Sequence, residues 1–379
     1  MTTTFGKDYK LGILGGGQLG RMLIQSGIDF NIPFTVLDPD AHAPCSTLAE
    51  FSQGKLTDFD TVMKFGTACD VITIEIENVN TAALKALVKQ GKKVFPQPEI
   101  IELIQDKRTQ KKFYQDQNIP TAEFLLVENA ADVKRNKAFL PAVNKLGREG
   151  YDGRGVQIIK TENDLAKAFD APGLLEKLIP FEKEIAVIVA RNEAGEIKTF
   201  PAVEMIFHPV QNLVEYLFAP AELNIEILKD ADRIAKDLIE KLGMIGLLAV
   251  EMFVTTDGKV LVNEIAPRPH NSGHQTIEAN VTSQYEQHLR AILDLPLGDT
   301  QLIMPSAMVN LLGEPSYEGV AQYQGMKEVL GIPGVHIHLY GKRTTKPFRK
   351  MGHVTIVDSD IDALKKKANF VKQTLKVIA

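Results

Sequence analysis

Between residues 10 and 95 the apolar positions fall into short runs, KLGIL, FTVLD, DVITIEI and KVF. Between those runs, in QLGRMLIQSGIDF and TAALKALVKQ, they recur every three or four residues. Short continuous runs suit strands buried on both faces and the 3.6-residue period suits helices covering them, so a parallel α/β sheet is predicted. Pro96 and Pro98 interrupt the pattern, and DKRTQKKFYQDQ follows as a polar helix stopped by Asn118, Ile119 and Pro120. From about 140 to 264 the strands read as antiparallel. LPAVNKL and VQIIK flank a glycine-rich loop, and EIAVIVAR and KTFPAVEMI flank a hairpin signal from Asn192 to Gly195. A helix over AELNIEILKDADRIAKDLIEKLG precedes the runs LLAVEMFV and KVLVNEI. Ser283, with Glu286 three residues on, opens a further helix as a capping box, and the chain is predicted to end in a helix from about Ile361.

A length of 379 residues suggests two to three domains, and 44% hydrophobic content is enough for a core in each. The formal charge of −5 provides no global positive field for nucleic acid or an anionic membrane, so any anion site must be local. Cys45 and Cys69 are too few for a disulfide framework or a cysteine-built zinc site, which suits a reducing, cytoplasmic setting. No signal core or membrane-spanning run is evident.

Gly15, Gly17 and Gly20 form G-x-G-x-x-G between a strand and a helix, and Asp38 closes the next strand. The pattern spells a dinucleotide site, yet physically it licenses only close approach of an anion to a helix N-terminus. NAD(P), another phosphate ligand and plain structural packing all remain open at this point.

A second constellation lies in VEMFVTTDGKVLVNE. Asp257 and Gly258 between two apolar runs predict a two-residue turn with Thr256 facing Lys259, and that register puts Glu251 opposite Glu264. Facing carboxylates in apolar strands repel, and burial makes their ionisation costlier still. A divalent cation removes the conflict. Oxygen ligands without cysteine or well-spaced histidine point to magnesium or manganese, although a shared proton or two solvent-facing glutamates would also satisfy the pattern.

Lys145 precedes GREGYDGRG, whose Gly147, Gly150, Gly153 and Gly155 allow a lid over a polyphosphate; the alternative is a plain hairpin with Lys145 on an edge strand. No Walker sequence is present. His270 and His274 have the spacing of helical metal ligands, but Pro269 and Gly273 argue for a substrate loop instead. Lys342, Arg343, Lys346, Arg349 and Lys350 gather in an otherwise acidic chain, as a solvated face or a cup for a phosphate monoester.

Taken in order, LGILGGGQLGRM, DKRTQKKFYQDQNIPT, GYDGRGV, EKLI, VEMFVT with GKVLVNEIAPRPHNSGH, and RKMGHV resemble the 5-(carboxyamino)imidazole ribonucleotide synthase family of ATP-grasp enzymes over nearly the whole chain. The resemblance implies a mixed α/β and α+β, three-domain ATP-grasp fold. Residues 1–107 would be a Rossmann-like N-terminal domain that binds no NAD, 108–178 the small or lid domain, 179–300 the large domain, and 301–379 a substrate-phosphate-binding part packed on it. It further implies a homodimer and the carboxylation of aminoimidazole ribonucleotide by ATP and bicarbonate, through carboxyphosphate, in purine biosynthesis.

The family pattern makes Arg108 and Lys145 nucleotide contacts, with Gly150, Tyr151, Asp152, Gly153, Arg154, Gly155 and Val156 closing on the phosphates. Glu176, Lys177, Leu178 and Ile179 would line the adenine, Glu184 would hold the ribose, and His208 would be a further contact. Glu251 and Glu264 match the magnesium or manganese carboxylates, beside Asn263. For the ribonucleotide the resemblance implies Gly17, Gln18 and Leu19, Tyr151, the segment from Arg268 through His270, Asn271 and Ser272 to His274, and Lys342, Arg349 and Lys350. Lys145, Asp152 and Arg268 would be catalytic, Asp152 orienting or deprotonating the attacking amine. Ala266 stands where many ATP-grasp enzymes carry Asn, and Leu146 and Glu149 depart from the usual lid lead-in. The rival readings are an NAD(P) oxidoreductase, a non-catalytic nucleotide-binding regulator, and an ATP-grasp ligase that activates another carboxylate.

Overall fold

The computed structural model describes residue 6 and residues 9–148, 155–207 and 213–379. Leu11–Leu14, Phe34–Asp38, Val71–Ile74 and Lys93–Val94 form parallel strands where the apolar runs predict them. Glu50–Gln53 adds an edge strand that the pattern did not announce, because its side chains are mostly exposed and polar. The strand order, by first residue, is 50, 34, 11, 71, 93. Helices Gln18–Ile28 and Thr81–Lys89 lie where the period predicts them.

A nine-stranded antiparallel sheet runs through the rest of the chain. Val260–Ala266 lies at one edge, followed inward by Gly246–Thr255, Phe181–Arg191, Val203–Phe207 and Val214–Ala219. It continues without a break into Ser306–Leu312, Lys350–Val357 and Val335–Leu339, with Ile197–Thr199 as the ninth strand on Phe181–Arg191, so the C-terminal strands extend the sheet that carries the paired glutamates. Helix Ile225–Leu242 starts on an Asn224 cap, ends on left-handed Gly243, and buries Ile234, Leu238 and Ile239 against this sheet. A separate four-stranded sheet contains Phe124–Val127, Gly173–Lys177, Ala142–Leu146 and Val156–Ile159, in that order. Helix Gln284–Ile292, with the Ser283 hydroxyl accepting from the Glu286 amide at 3.1 Å, packs Tyr285, Leu289 and Ile292 into the N-terminal core. The chain does not end in the helix Ile361–Thr374: Lys376–Ile378 follows as a strand on Gln322–Gln324. Among the described residues no helix is long and apolar enough to cross a membrane.

Candidate active site

The glutamates meet as expected, but the hairpin that joins them differs from the expected one. Its loop has three residues, Thr256 to Gly258: the Thr255 amide donates to the Lys259 carbonyl at 2.9 Å, and Gly258 takes φ +80°. Near the loop Val254 pairs with Val260 and Met252 with Val262, a register that would set Glu251 against Asn263. A bulge between Met252 and Glu251 adds one residue to the partner strand, and Glu251 pairs with Glu264 after all. The predicted two-residue turn is therefore corrected, and the predicted opposition stands for a different reason.

Burial, and then the neighbouring Glu264 charge, push the Glu251 carboxyl well above the ordinary carboxylate range. Glu264 goes the other way, held low by the Lys107 ammonium, which donates to it at 2.8 Å. His270 reaches toward Glu251 with Nε2 at 3.6 Å while its Nδ1 lies 2.9 Å from the Ser272 hydroxyl. Glu184, on the neighbouring strand, is pushed up to about 7 by burial, with the Glu264 charge adding to the shift. Among the described residues no group of three or more His, Cys, Asp or Glu could hold a metal. A facing carboxylate pair nevertheless suits a hard divalent cation that takes its other ligands from phosphate and water.

Lys145 lies on Ala142–Leu146, an interior strand of the four-stranded sheet, so the edge-strand alternative fails. Its ammonium lies 3.1 Å from Asn263 Oδ1 and 3.2 Å from Glu176. Glu176 is buried between Lys145 and Lys111 and turns its carboxylate to those lysines. Lys177 donates to the Phe139 carbonyl, and the Leu178 amide to the Pro141 carbonyl. Arg108 pairs with Glu128, whereas Lys107, beside it, reaches the glutamate pair. Sequence reasoning missed Lys107 and Lys111. Their four-residue spacing, which puts both on one face of helix Lys107–Asp116, was the available signal.

Of the residues that the family pattern gives to the ribonucleotide, Arg268 turns toward the N-terminal part of the chain. Arg268 Nε is 2.9 Å from Glu77, and Asn271 and Asn310 exchange amide hydrogen bonds at 2.9 and 3.0 Å. Lys350 lies close enough to Glu251 to oppose its upward shift, and Lys342 donates to the Lys350 carbonyl at 2.7 Å. Arg349 is held by Thr344, with Nη1 2.8 Å from its carbonyl. His274 does not share a face with His270: it is buried, 3.1 Å from the Tyr285 hydroxyl and 4.6 Å from the His353 ring. Gly155 and Val156 are in place at the start of a strand, whereas Glu149, Gly150, Tyr151, Asp152, Gly153, Arg154 and His208 lie outside the described residues.

The glycine fingerprint is filled from within the protein. Glu75 accepts from the Gly17 amide at 2.5 Å and the Gly20 amide at 2.7 Å, taking the position where a pyrophosphate would sit. Asp38 is likewise engaged, accepting from the amides of Gly16 and Asp40 at 2.7 and 2.8 Å. Leu19 packs against the N-terminal core.

A parallel domain, a small sheet whose Lys145 reaches Asn263 on the large sheet, and paired carboxylates on that large sheet together define an ATP-grasp ligase. The chain matches the ATP-grasp domain family over residues 112–285, the ribonucleotide synthetase preATP-grasp domain over 9–105, and the phosphoribosylaminoimidazole carboxylase C-terminal domain over 306–367. It is similar to the crystal structure of N5-carboxyaminoimidazole ribonucleotide synthetase from Thermotoga maritima, with a TM-score of 0.90, 42% identity, and coverage of 98% of this chain and 99% of that one. It is also similar to N5-carboxyaminoimidazole synthase from Aspergillus clavatus in complex with ADP and 5-aminoimidazole ribonucleotide, with a TM-score of 0.87, 32% identity, and coverage of 97% and 98%. The chloroplastic phosphoribosylaminoimidazole carboxylase of Vigna aconitifolia is 40% identical over 94% of this chain, which spans 65% of that longer protein. The chain belongs to the N5-carboxyaminoimidazole ribonucleotide synthase family.

Proposed function

We infer that this chain uses ATP to carboxylate 5-aminoimidazole ribonucleotide with bicarbonate, giving N5-carboxyaminoimidazole ribonucleotide, ADP and phosphate in purine biosynthesis. The observation that carries the residue assignments is the opposition of Glu251 and Glu264, with Lys107 and Lys145 converging on the strand that bears Glu264. Bicarbonate is a poor electrophile, and phosphoryl transfer to it needs charge neutralisation more than covalent help. A magnesium or manganese ion on the two glutamates would supply part of that neutralisation. Lys107 and Lys145 hold the nucleotide phosphates from the protein side, and Glu184 takes the ribose hydroxyls.

Lys342, Arg349, Lys350 and Gln18 bind the ribonucleotide phosphate, while Arg268 and the His270–Ser272 turn present the aminoimidazole to the carboxyl donor. The segment from Gly150 to Val156 excludes water from carboxyphosphate, and Asp152 orients the amine; support for both comes from the family pattern, as it does for a cytoplasmic homodimer.

The test is ADP release by the purified protein with ATP, magnesium and bicarbonate, with and without aminoimidazole ribonucleotide, following loss of the amine in parallel. The reading predicts strong stimulation with stoichiometric amine loss. ADP release indifferent to the ribonucleotide would contradict the substrate, and absence of ATP use would contradict the reaction class.

A further inference from the structure

Helix Lys107–Asp116 presents Lys107, Lys111 and Tyr114 at the spacing of one face. Lys107 goes to Glu264 on the large sheet. One turn on, Lys111, only 2% exposed, goes to Glu176 on the small sheet, 3.1 Å away. Lys111 also donates to the Thr121 hydroxyl, which donates in turn to the Val262 carbonyl at 2.7 Å. The residue after Val262 is Asn263, which holds Lys145, and Lys145 returns to Glu176. The contacts close a ring: Lys111, Thr121, Val262, Asn263, Lys145, Glu176. The ring ties the small sheet to the edge strand of the large one, on either side of the proposed nucleotide site.

The charge arithmetic of this ring is unusual. Glu176 is 3% exposed and faces two ammonium groups. Burial alone would raise its carboxyl, yet Lys145 and Lys111 together hold it low, so it is an anion shared between two cations. A buried pair of equal and opposite charges is self-contained, whereas two cations on one carboxylate leave a positive surplus beside the strand that carries Glu264.

We propose that Lys111 is a positioning residue for ATP: by taking up much of the Glu176 charge it keeps Lys145 in register with Asn263 and leaves the Lys145 ammonium electrostatically free for a nucleotide phosphate. Without Lys111, Glu176 would neutralise Lys145. The proposal rests on the ATP site described above, and binding of ATP to the unaltered protein tests that site separately.

The experiment is calorimetric titration of ATP with magnesium into the protein, Lys111→Met and Lys111→Arg, together with thermal melts and the KM for aminoimidazole ribonucleotide. Lys111→Met should bind ATP about tenfold or more weakly, and Lys111→Arg, which keeps a cation on Glu176, should bind it within about threefold of the unaltered protein. The ribonucleotide KM should stay within about twofold in both, since its site lies elsewhere. A folded Lys111→Met protein with unchanged ATP affinity would overturn the proposal. If Lys111→Met does not fold, Lys111→Arg decides: a loss of ATP affinity of about tenfold with unchanged melting, or failure to fold with the charge kept, would assign Lys111 to the framework alone and overturn it.

Discussion

Glu251 stands opposite Glu264 because Asn263 is one residue too many for its strand: without that bulge the hairpin register would pair Glu251 with Asn263. The bulge thus does two things, turning the second carboxylate onto the first and directing the Asn263 side chain to Lys145. Facing carboxylates, Glu251 largely shielded from solvent and Glu264 about half exposed, are an unfavourable arrangement for the protein alone. Glu251→Gln should therefore raise the melting midpoint of the metal-free protein, by a stability gain of about 1 kcal/mol, while abolishing ATP turnover. Melts in EDTA beside ADP-release assays check both signs together. A variant that melts lower and still turns over would contradict the pairing.

Lys107 pairs with Glu264, its ammonium 2.8 Å from the carboxylate. Lys107→Met should free that carboxylate and tighten Mn²⁺ binding to the nucleotide-free protein several-fold, yet lower kcat by about 100-fold if the proposed phosphate partner is lost. Mn²⁺ binding can be followed by electron paramagnetic resonance. Weaker Mn²⁺ binding in the variant would mean that the lysine supports the metal site instead of competing with the ion.

Glu75 acts as an internal hydrogen-bond acceptor at the helix that begins at Gln18. Glu75→Ala would orphan the Gly17 and Gly20 amides and should cost about 2 kcal/mol, read as a lower denaturant midpoint with unchanged slope. Gly17→Ala should be at least as damaging, since its Cβ would lie 2.3 Å from a Glu75 oxygen. NADH fluorescence should not change on mixing with the unaltered protein.

His288 is buried, its Nε2 2.9 Å from the Thr73 hydroxyl, and burial lowers its pKa to about 3. A base whose folded pKa is depressed binds its proton in the unfolded chain first, so folding stability is complete above the ordinary value of 6.5 and falls as pH drops from there toward 3. His274 and His353, also depressed by burial, act in the same direction. Urea midpoints from pH 7.5 to 4.5 should fall steadily, and His288→Gln should flatten the slope. A slope unchanged by that substitution would remove His288 from the account.

What the sequence made legible depended on how locally each feature is encoded. The parallel strands and their helices were plain because buried runs and amphipathic periods need no partner to be read. Glu50–Gln53 was missed because an edge strand keeps the polar composition of a loop. The Asp257–Gly258 signal located the hairpin, but neither its three-residue loop nor the compensating bulge leaves a trace in composition. Lys107 was passed over for its neighbour because adjacent helical residues diverge by about 100°, and only the placement of the helix against both sheets decides which one faces the carboxylates. His353 stacks on His338 with ring centroids 4.5 Å apart across two strands, a pairing fixed by long-range register alone.

The central claim is that the site phosphorylates bicarbonate. The most direct measurement supplies ¹⁸O-labelled bicarbonate with ATP, magnesium and aminoimidazole ribonucleotide, and reads the inorganic phosphate by mass spectrometry. If bicarbonate attacks the γ-phosphorus, one labelled oxygen stays with the phosphate when the carboxyl group leaves, so each turnover should yield singly labelled phosphate. Unlabelled phosphate, formed at the same rate as the carboxylated product, would mean that water attacks ATP, and would contradict the account.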